Sequence, residues 1–169
     1  VKGYTYALEA CKILKDSGFQ FKYEIVGAKD SEELRYLIDS YSLQKEVVLT
    51  DTKPFTEVQK MMESASVVLL PSVEEGIANV VLEAMQLGTV VLSTNCGGMD
   101  EVVENGMNGF IVPIRDVHKM AEGLLKIAQL STEEKQGVIE KAKATISHQH
   151  TKEKMISDMI GLYEGVLNG

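Results

Sequence analysis

The chain has 169 residues, 44% of them hydrophobic and 25% charged, which is enough apolar material for one compact domain. A formal net charge of -8 excludes a general binder of nucleic acid or anionic membrane, so an anionic ligand needs a locally positive site. No apolar run approaches the roughly 20 residues that span a bilayer, and the first residues do not read as a secretory leader. Val1 already adjoins a helical pattern, so the chain is expected to begin inside a longer protein. Cys11 and Cys96 form no C-x-x-C pair and read as small core residues of a reducing compartment.

In chain order, Tyr4, Ala7, Leu8, Cys11 and Leu14 recur at helical spacing, and Ser17-Gly18 ends that helix. An alternating strand, Phe21 to Val26, stops at Gly27. Asp30 with Glu33 is the expected N-terminal cap of a helix carrying Leu34, Leu37, Ile38 and Tyr41. A short strand over Glu46–Thr50 follows, and Thr56 with Gln59 has capping-box spacing ahead of Val58, Met61, Met62 and Ala65. The continuous apolar run Val67–Leu70 predicts a strand covered on both faces.

A helix over Val80–Leu87 stops at Gly88, before the strand Val90–Leu92. A short helix near Asp100–Glu104 leads through Gly106 and Gly109 to the strand Phe110–Val112. The last third is helical, over about 116–129, 131–147 and 151–167. Its stripes (Val117, Met120, Leu124; Val138, Ile139, Ala142; Met155, Met159, Tyr163) read as packing faces. Strand and helix alternating at this spacing imply βαβ units, a parallel sheet and helices on both faces. The expected fold is a single α/β domain, a Rossmann-like three-layer sandwich.

Ligands of such sheets bind beyond the carboxyl ends of strands. The most informative end is Pro71-Ser72-Val73-Glu74-Glu75-Gly76-Ile77-Ala78-Asn79, where a loop turns into a helix. Free N–H groups and the helix dipole there suit a phosphate, and Gly76 lets it approach the backbone. Glu75 precedes the helix and Glu83 lies in its second turn, so both can line one cleft and accept hydrogen bonds from sugar or ribose hydroxyls. By spacing alone, each reads first as an ordinary surface or dipole-complementing charge.

The ordered elements Pro71-Ser72, Glu75-Gly76, Leu82-Glu83-Ala84-Met85, Gly88-Thr89, Gly97-Gly98, Glu101-Val102-Val103 and Asn105-Gly106 through Asn108-Gly109 to Val112-Pro113 resemble the signature region of family 4 (group 1) retaining glycosyltransferases. Upstream, Lys2-Gly3 and Val26-Gly27 resemble further elements of that family, so the likeness covers nearly the whole chain. It implies the C-terminal, donor-binding half of the two-domain GT-B architecture, with the first strand of this domain and the whole acceptor domain upstream of residue 1. Glu75 takes the family's position beside the donor sugar and its anomeric carbon, the catalytic role, and Glu83 the position that binds the ribose. Gly76, Ile77, Ala78 and Asn79 would hold the diphosphate or sugar through backbone amides, Lys2 would face the diphosphate, and Thr52 and Lys53 would lie near the base.

Two departures stand out. Ile77-Ala78-Asn79 replaces the family's Phe-Gly-Leu, and Asn79 is open to two readings, a helix cap (preferred) or a contact to a donor hydroxyl. The basic residue that precedes the lysine in the family falls outside the sequence. The implied substrate is a nucleoside-diphosphate sugar of UDP or GDP type, with no cofactor and no metal. The implied partner is a glycan or lipid-linked acceptor held by the N-terminal domain, in polysaccharide biosynthesis. The implied setting is cytoplasmic, with peripheral contact at the inner membrane face through regions outside this sequence. Transfer by this fragment in isolation is not expected. A nucleotide-sugar 2-epimerase on the same scaffold and a noncatalytic sugar-nucleotide binding module are the alternatives. No Gly-x-Gly-x-x-Gly follows a strand, which counts against a dinucleotide-dependent dehydrogenase. Asp30 and Asp51 lack the supporting residues of a phosphoacceptor site. His118, His148 and His150 match no motif position and read as surface or capping residues.

Overall fold

The structure, a computed structural model, describes residues 2–149. Helix α1 (Tyr4–Asp16) leads into β1 (Tyr23–Val26), α2 (Glu32–Ser40) and β2 (Val47–Thr50). Next come α3 (Phe55–Ser64), β3 (Val68–Leu70), α4 (Asn79–Leu87) and β4 (Val91–Thr94). The short α5 (Met99–Val102), β5 (Phe110–Val112), α6 (Val117–Gln129) and α7 (Thr132–Gln149) complete the order. The helix expected over 151–167, its stripe Met155, Met159 and Tyr163, and His150 lie outside the described residues.

Among the described residues all the strand pairs are parallel, as βαβ alternation requires, but they form two sheets rather than one. β1 pairs with β2, Ile25 opposite Leu49, and β3-β4-β5 forms the second sheet, Leu69 opposite Leu92 and Ser93 opposite Ile111. β1 and β3 do not pair with each other. Helix α1 bridges the division. Its Leu8 and Cys11 pack with Ile25, Leu34 and Val47, while Ala7, Ala10 and Leu14 pack with Leu92, Phe110 and Met120. One helix offers these two stripes because successive turns bring residues three and four apart onto a shared face.

The larger sheet is covered on both sides. Val67 and Leu69 point into the cluster formed with α1 and α6, whereas Val68 and Leu70 point into that formed with α3, α4 and α7. This alternation within an unbroken apolar run is what a doubly covered strand needs. The α6 and α7 stripes expected to pack do so: Met120 is fully buried, and Val138 and Ala142 join the core. Cys11 and Cys96 are buried free thiols, and burial, with the nearby Glu46 charge, pushes Cys11 up to about 12. Cys11 is therefore a packing residue without thiolate reactivity at neutral pH.

Helix ends correct several expectations. Ser31, not Asp30, caps α2 by accepting from the Leu34 N–H over 3.3 Å, and the Asp30 carboxylate instead lies 4.0 Å from Arg35. Both side chains can serve a first turn, but Ser31 stands at the helix boundary, with the extended backbone of a cap and ψ at 103°. At α3 the cap position is Pro54 and the helix starts at Phe55, which places Thr56 inside the first turn. Proline suits this boundary because its missing N–H is not needed there. A capping box that the sequence patterning did not single out opens α7. The Ser131 N–H donates to Glu134 Oε2 (2.7 Å) and the Glu134 N–H to Ser131 Oγ (3.1 Å).

Candidate functional site

β3 ends at Leu70 and α4 begins at Asn79, so residues 71–78 form a loop at the carboxyl edge of the larger sheet. The start of α1 packs against the loop's entrance. Gly3 has a φ of 65°, and a Cβ there would lie 1.9 Å from the Pro71 carbonyl oxygen. Only glycine allows this approach. Lys2 is thereby carried to the same edge, its Nζ 3.4 Å from Glu75 Oε2. Ser72, fully buried, donates its hydroxyl to that same carboxylate oxygen over 3.3 Å. The Glu75 side chain retains 29% exposure, enough to meet a ligand from the solvent side.

The loop's exit is held from the other flank. Gly97, just past β4, has a φ of 54°, and a Cβ there would lie 1.6 Å from the Glu75 carbonyl oxygen. Thr94, the last residue of β4 and fully buried, donates its hydroxyl to the Ser72 carbonyl. Sequence reasoning took Pro71-Ser72 and Gly97-Gly98 as motif elements but assigned no role to Ser72 or Thr94. A signal for Ser72 was present: Ser72-x-x-Glu75 has the spacing at which a hydroxyl and a carboxylate meet across one turn.

At the head of α4 the backbone N–H groups of Gly76, Ile77, Asn79 and Val80 donate to no acceptor among the described residues. These are the orphan donors of a helix start, and the positive end of the helix dipole coincides with them. Ala78 differs from its neighbours: it is 7% exposed and its N–H is turned inward to Met99 Sδ at 3.4 Å. Asn79 is not the cap. It is the first helical residue and is exposed, and Ala78 occupies the cap position without a side-chain hydrogen bond. Glu83, half-buried in the second turn of α4, has no hydrogen bond or ion pair among the described residues.

Thr52 and Lys53 lie elsewhere, in a cavity of about 460 Å³ at the carboxyl end of β2, with Thr50, Asp51 and Lys29 also on its wall. Lys53 is paired with Glu57 at 3.7 Å, and Lys29 with Asp51 at 2.6 Å. The hydrogen bond to Asp51, reinforced by its charge, raises the Lys29 ammonium above its ordinary range. Thr50 lines this cavity, and its Oγ1 is buried without a hydrogen-bond partner among the described residues. The structure thus brings Lys2 and Glu75 into contact and places Thr52 and Lys53 together. The two groups occupy the ends of strands in different sheets. His118 is exposed on α6, and His148 is exposed with its ring nitrogen 2.7 Å from the Ala144 carbonyl, a local contact. Among the described residues no cluster of His, Cys, Asp or Glu is placed to hold a metal ion, and no helix is long and apolar enough to cross a membrane.

An open, parallel α/β fold with a glycine-pinned acidic loop at a strand end is the class these observations define. The chain belongs to the group 1 glycosyl transferases, whose family profile matches residues 1–145. It is 36% identical to the putative colanic acid biosynthesis glycosyltransferase WcaL of Escherichia coli (strain K12), over 98% of this chain and 42% of that protein. It is also 36% identical to the amylovoran biosynthesis glycosyltransferase AmsK of Erwinia amylovora, over 76% of this chain and 33% of that protein. The chain therefore spans about two-fifths or less of the length of these relatives. The crystal structure of Anabaena Alr3699/HepE in complex with UDP-glucose superposes with a TM-score of 0.83 at 22% identity, covering 97% of this chain and 45% of that one. The shared fold is the GT-B type that the sequence resemblance implied.

Proposed function

We propose that this chain is the donor-binding half of a retaining glycosyltransferase, holding a nucleoside-diphosphate sugar at the carboxyl edge of its larger sheet. The observation that carries the reading is the meeting of Lys2, Glu75 and the free amides of Gly76, Ile77 and Asn79 at the start of α4. In this reading the diphosphate sits against those amides and Lys2, whose positive charge eases departure of the leaving group. Ala78 offers no amide to the ligand, since its N–H donates to Met99 Sδ. Glu75 faces the donor sugar, and Glu83, without a competing partner, takes the ribose hydroxyls. The cavity at Thr52 and Lys53 accommodates the base.

The unpaired edges of β1 and β3 support a further strand between them, supplied by residues preceding this chain. An N-terminal domain would hold the acceptor, and closure of the two domains would complete the active site. Relatives named for colanic acid and amylovoran synthesis favour transfer in polysaccharide assembly over the epimerase reading. Binding of UDP-glucose by HepE supports a sugar-nucleotide donor and leaves UDP and GDP both open for this chain.

Calorimetric titration of the complete protein with UDP, GDP and ADP tests this. One nucleotide is expected to bind, and Glu83→Ala to weaken it about tenfold, as for loss of a charged hydrogen bond worth roughly 1.5 kcal/mol. Absence of binding by all of them at millimolar concentration overturns the donor-site reading.

A further inference from the structure

The Glu75 carboxylate stands at the end of a buried relay that begins on a different strand. Thr94 and Ser72 are both 0% exposed, and neither side chain can reach a ligand directly. Ladder pairing between β3 and β4 places Leu70 opposite Ser93. One residue further along β4, the Thr94 hydroxyl donates to the Ser72 carbonyl and prolongs the connection between the strands past the last paired residues. The backbone of Ser72 is thereby fixed, and its hydroxyl is aimed at Glu75 Oε2.

A hydroxyl donating to a carboxylate is charge-assisted, and although this bond is long at 3.3 Å, its donor is fully buried and fixed in direction. The other contact to that oxygen comes from Lys2, a flexible side chain 64% exposed, which screening by water weakens. The buried hydroxyl is therefore the contact able to hold one rotamer. We infer that Ser72 and Thr94 are positioning residues for the transfer reaction: Thr94 fixes Ser72, and Ser72 orients the Glu75 carboxylate toward the donor sugar. This rests on the reading of Glu75 as the residue beside the sugar.

The test measures kcat and donor KM in the complete protein, using the fastest of UDP-glucose, UDP-galactose and GDP-mannose, for Ser72→Ala, Thr94→Val, Thr94→Ser, Glu75→Gln and the Ser72→Ala/Glu75→Gln pair. Ser72→Ala is expected to lower kcat about tenfold with KM within about twofold, since the lost bond orients a group and holds no ligand. Thr94→Val is expected to follow it, and Thr94→Ser, which keeps the hydroxyl, to restore the rate. The pair is expected to be no slower than Glu75→Gln alone, because the relay acts only through that carboxylate. A normal kcat in Ser72→Ala, or a pair whose losses multiply, overturns the relay while leaving Glu75's role standing. A normal kcat in Glu75→Gln overturns the reading of Glu75 itself.

Discussion

Glu75→Gln is expected to reduce turnover by about 10²- to 10³-fold while leaving nucleoside-diphosphate affinity nearly unchanged. The substitution preserves the shape of the side chain and removes its charge. During transfer the diphosphate leaves and positive charge develops at the sugar, so a fixed carboxylate beside it stabilises the transition state more than the ground state. The nucleotide is held by other groups in this account: the amides at the head of α4, Lys2 and Glu83. Steady-state kinetics with parallel nucleotide titration separates the two effects. A raised KM with normal kcat contradicts the assignment, since it marks Glu75 as a residue that binds donor and transition state alike.

Gly97→Ala is expected to impair the enzyme by a comparable factor, about 10²-fold, although Gly97 contributes no functional group. Two costs coincide at this position. A φ of 54° is left-handed, at roughly 1–2 kcal/mol for a residue with a Cβ, and the new methyl would lie 1.6 Å from the Glu75 carbonyl oxygen. That oxygen is backbone, so the loop itself must move by about 1 Å or more, a displacement that can cost about 10²-fold when it misplaces a reacting group. Gly106→Ala separates the costs. Gly106 also has a positive φ, 79°, but open space around it, so it should lose a little thermal stability and keep normal turnover. Equal turnover in the two variants contradicts the idea that Gly97 holds the Glu75 loop in place.

The alternation of elements was legible because its determinants are local: period-2 and period-3.6 patterning, Gly88 after α4, and the unbroken apolar run at β3. The division of the sheet was not legible in the patterning, which records which face is covered and not which neighbour is paired; only the family resemblance, by setting one strand upstream of residue 1, pointed to an incomplete sheet. Caps failed where adjacent residues offered competing acceptors, as with Asp30 and Ser31, or where a proline took the boundary, as at Pro54. Within the site, Lys2 and Glu75 were recognisable from ordered motifs, and their contact follows from Gly3 lying against Pro71. The inward turn of the Ala78 amide and the Thr94–Ser72 bond depend on residues about twenty positions apart meeting in space, which no spacing rule within one loop encodes.

In the proposed donor site a nucleoside diphosphate is held at the head of α4. Residue-resolved hydrogen exchange of the complete protein, with and without saturating UDP or GDP, tests it most directly. Exchange is expected to slow at the amides of Gly76, Ile77 and Asn79, with a second protected patch at Thr52 and Lys53 and no change along the exposed side of α6. A nucleotide that binds while those amides exchange at their unliganded rates, with protection appearing elsewhere, contradicts it.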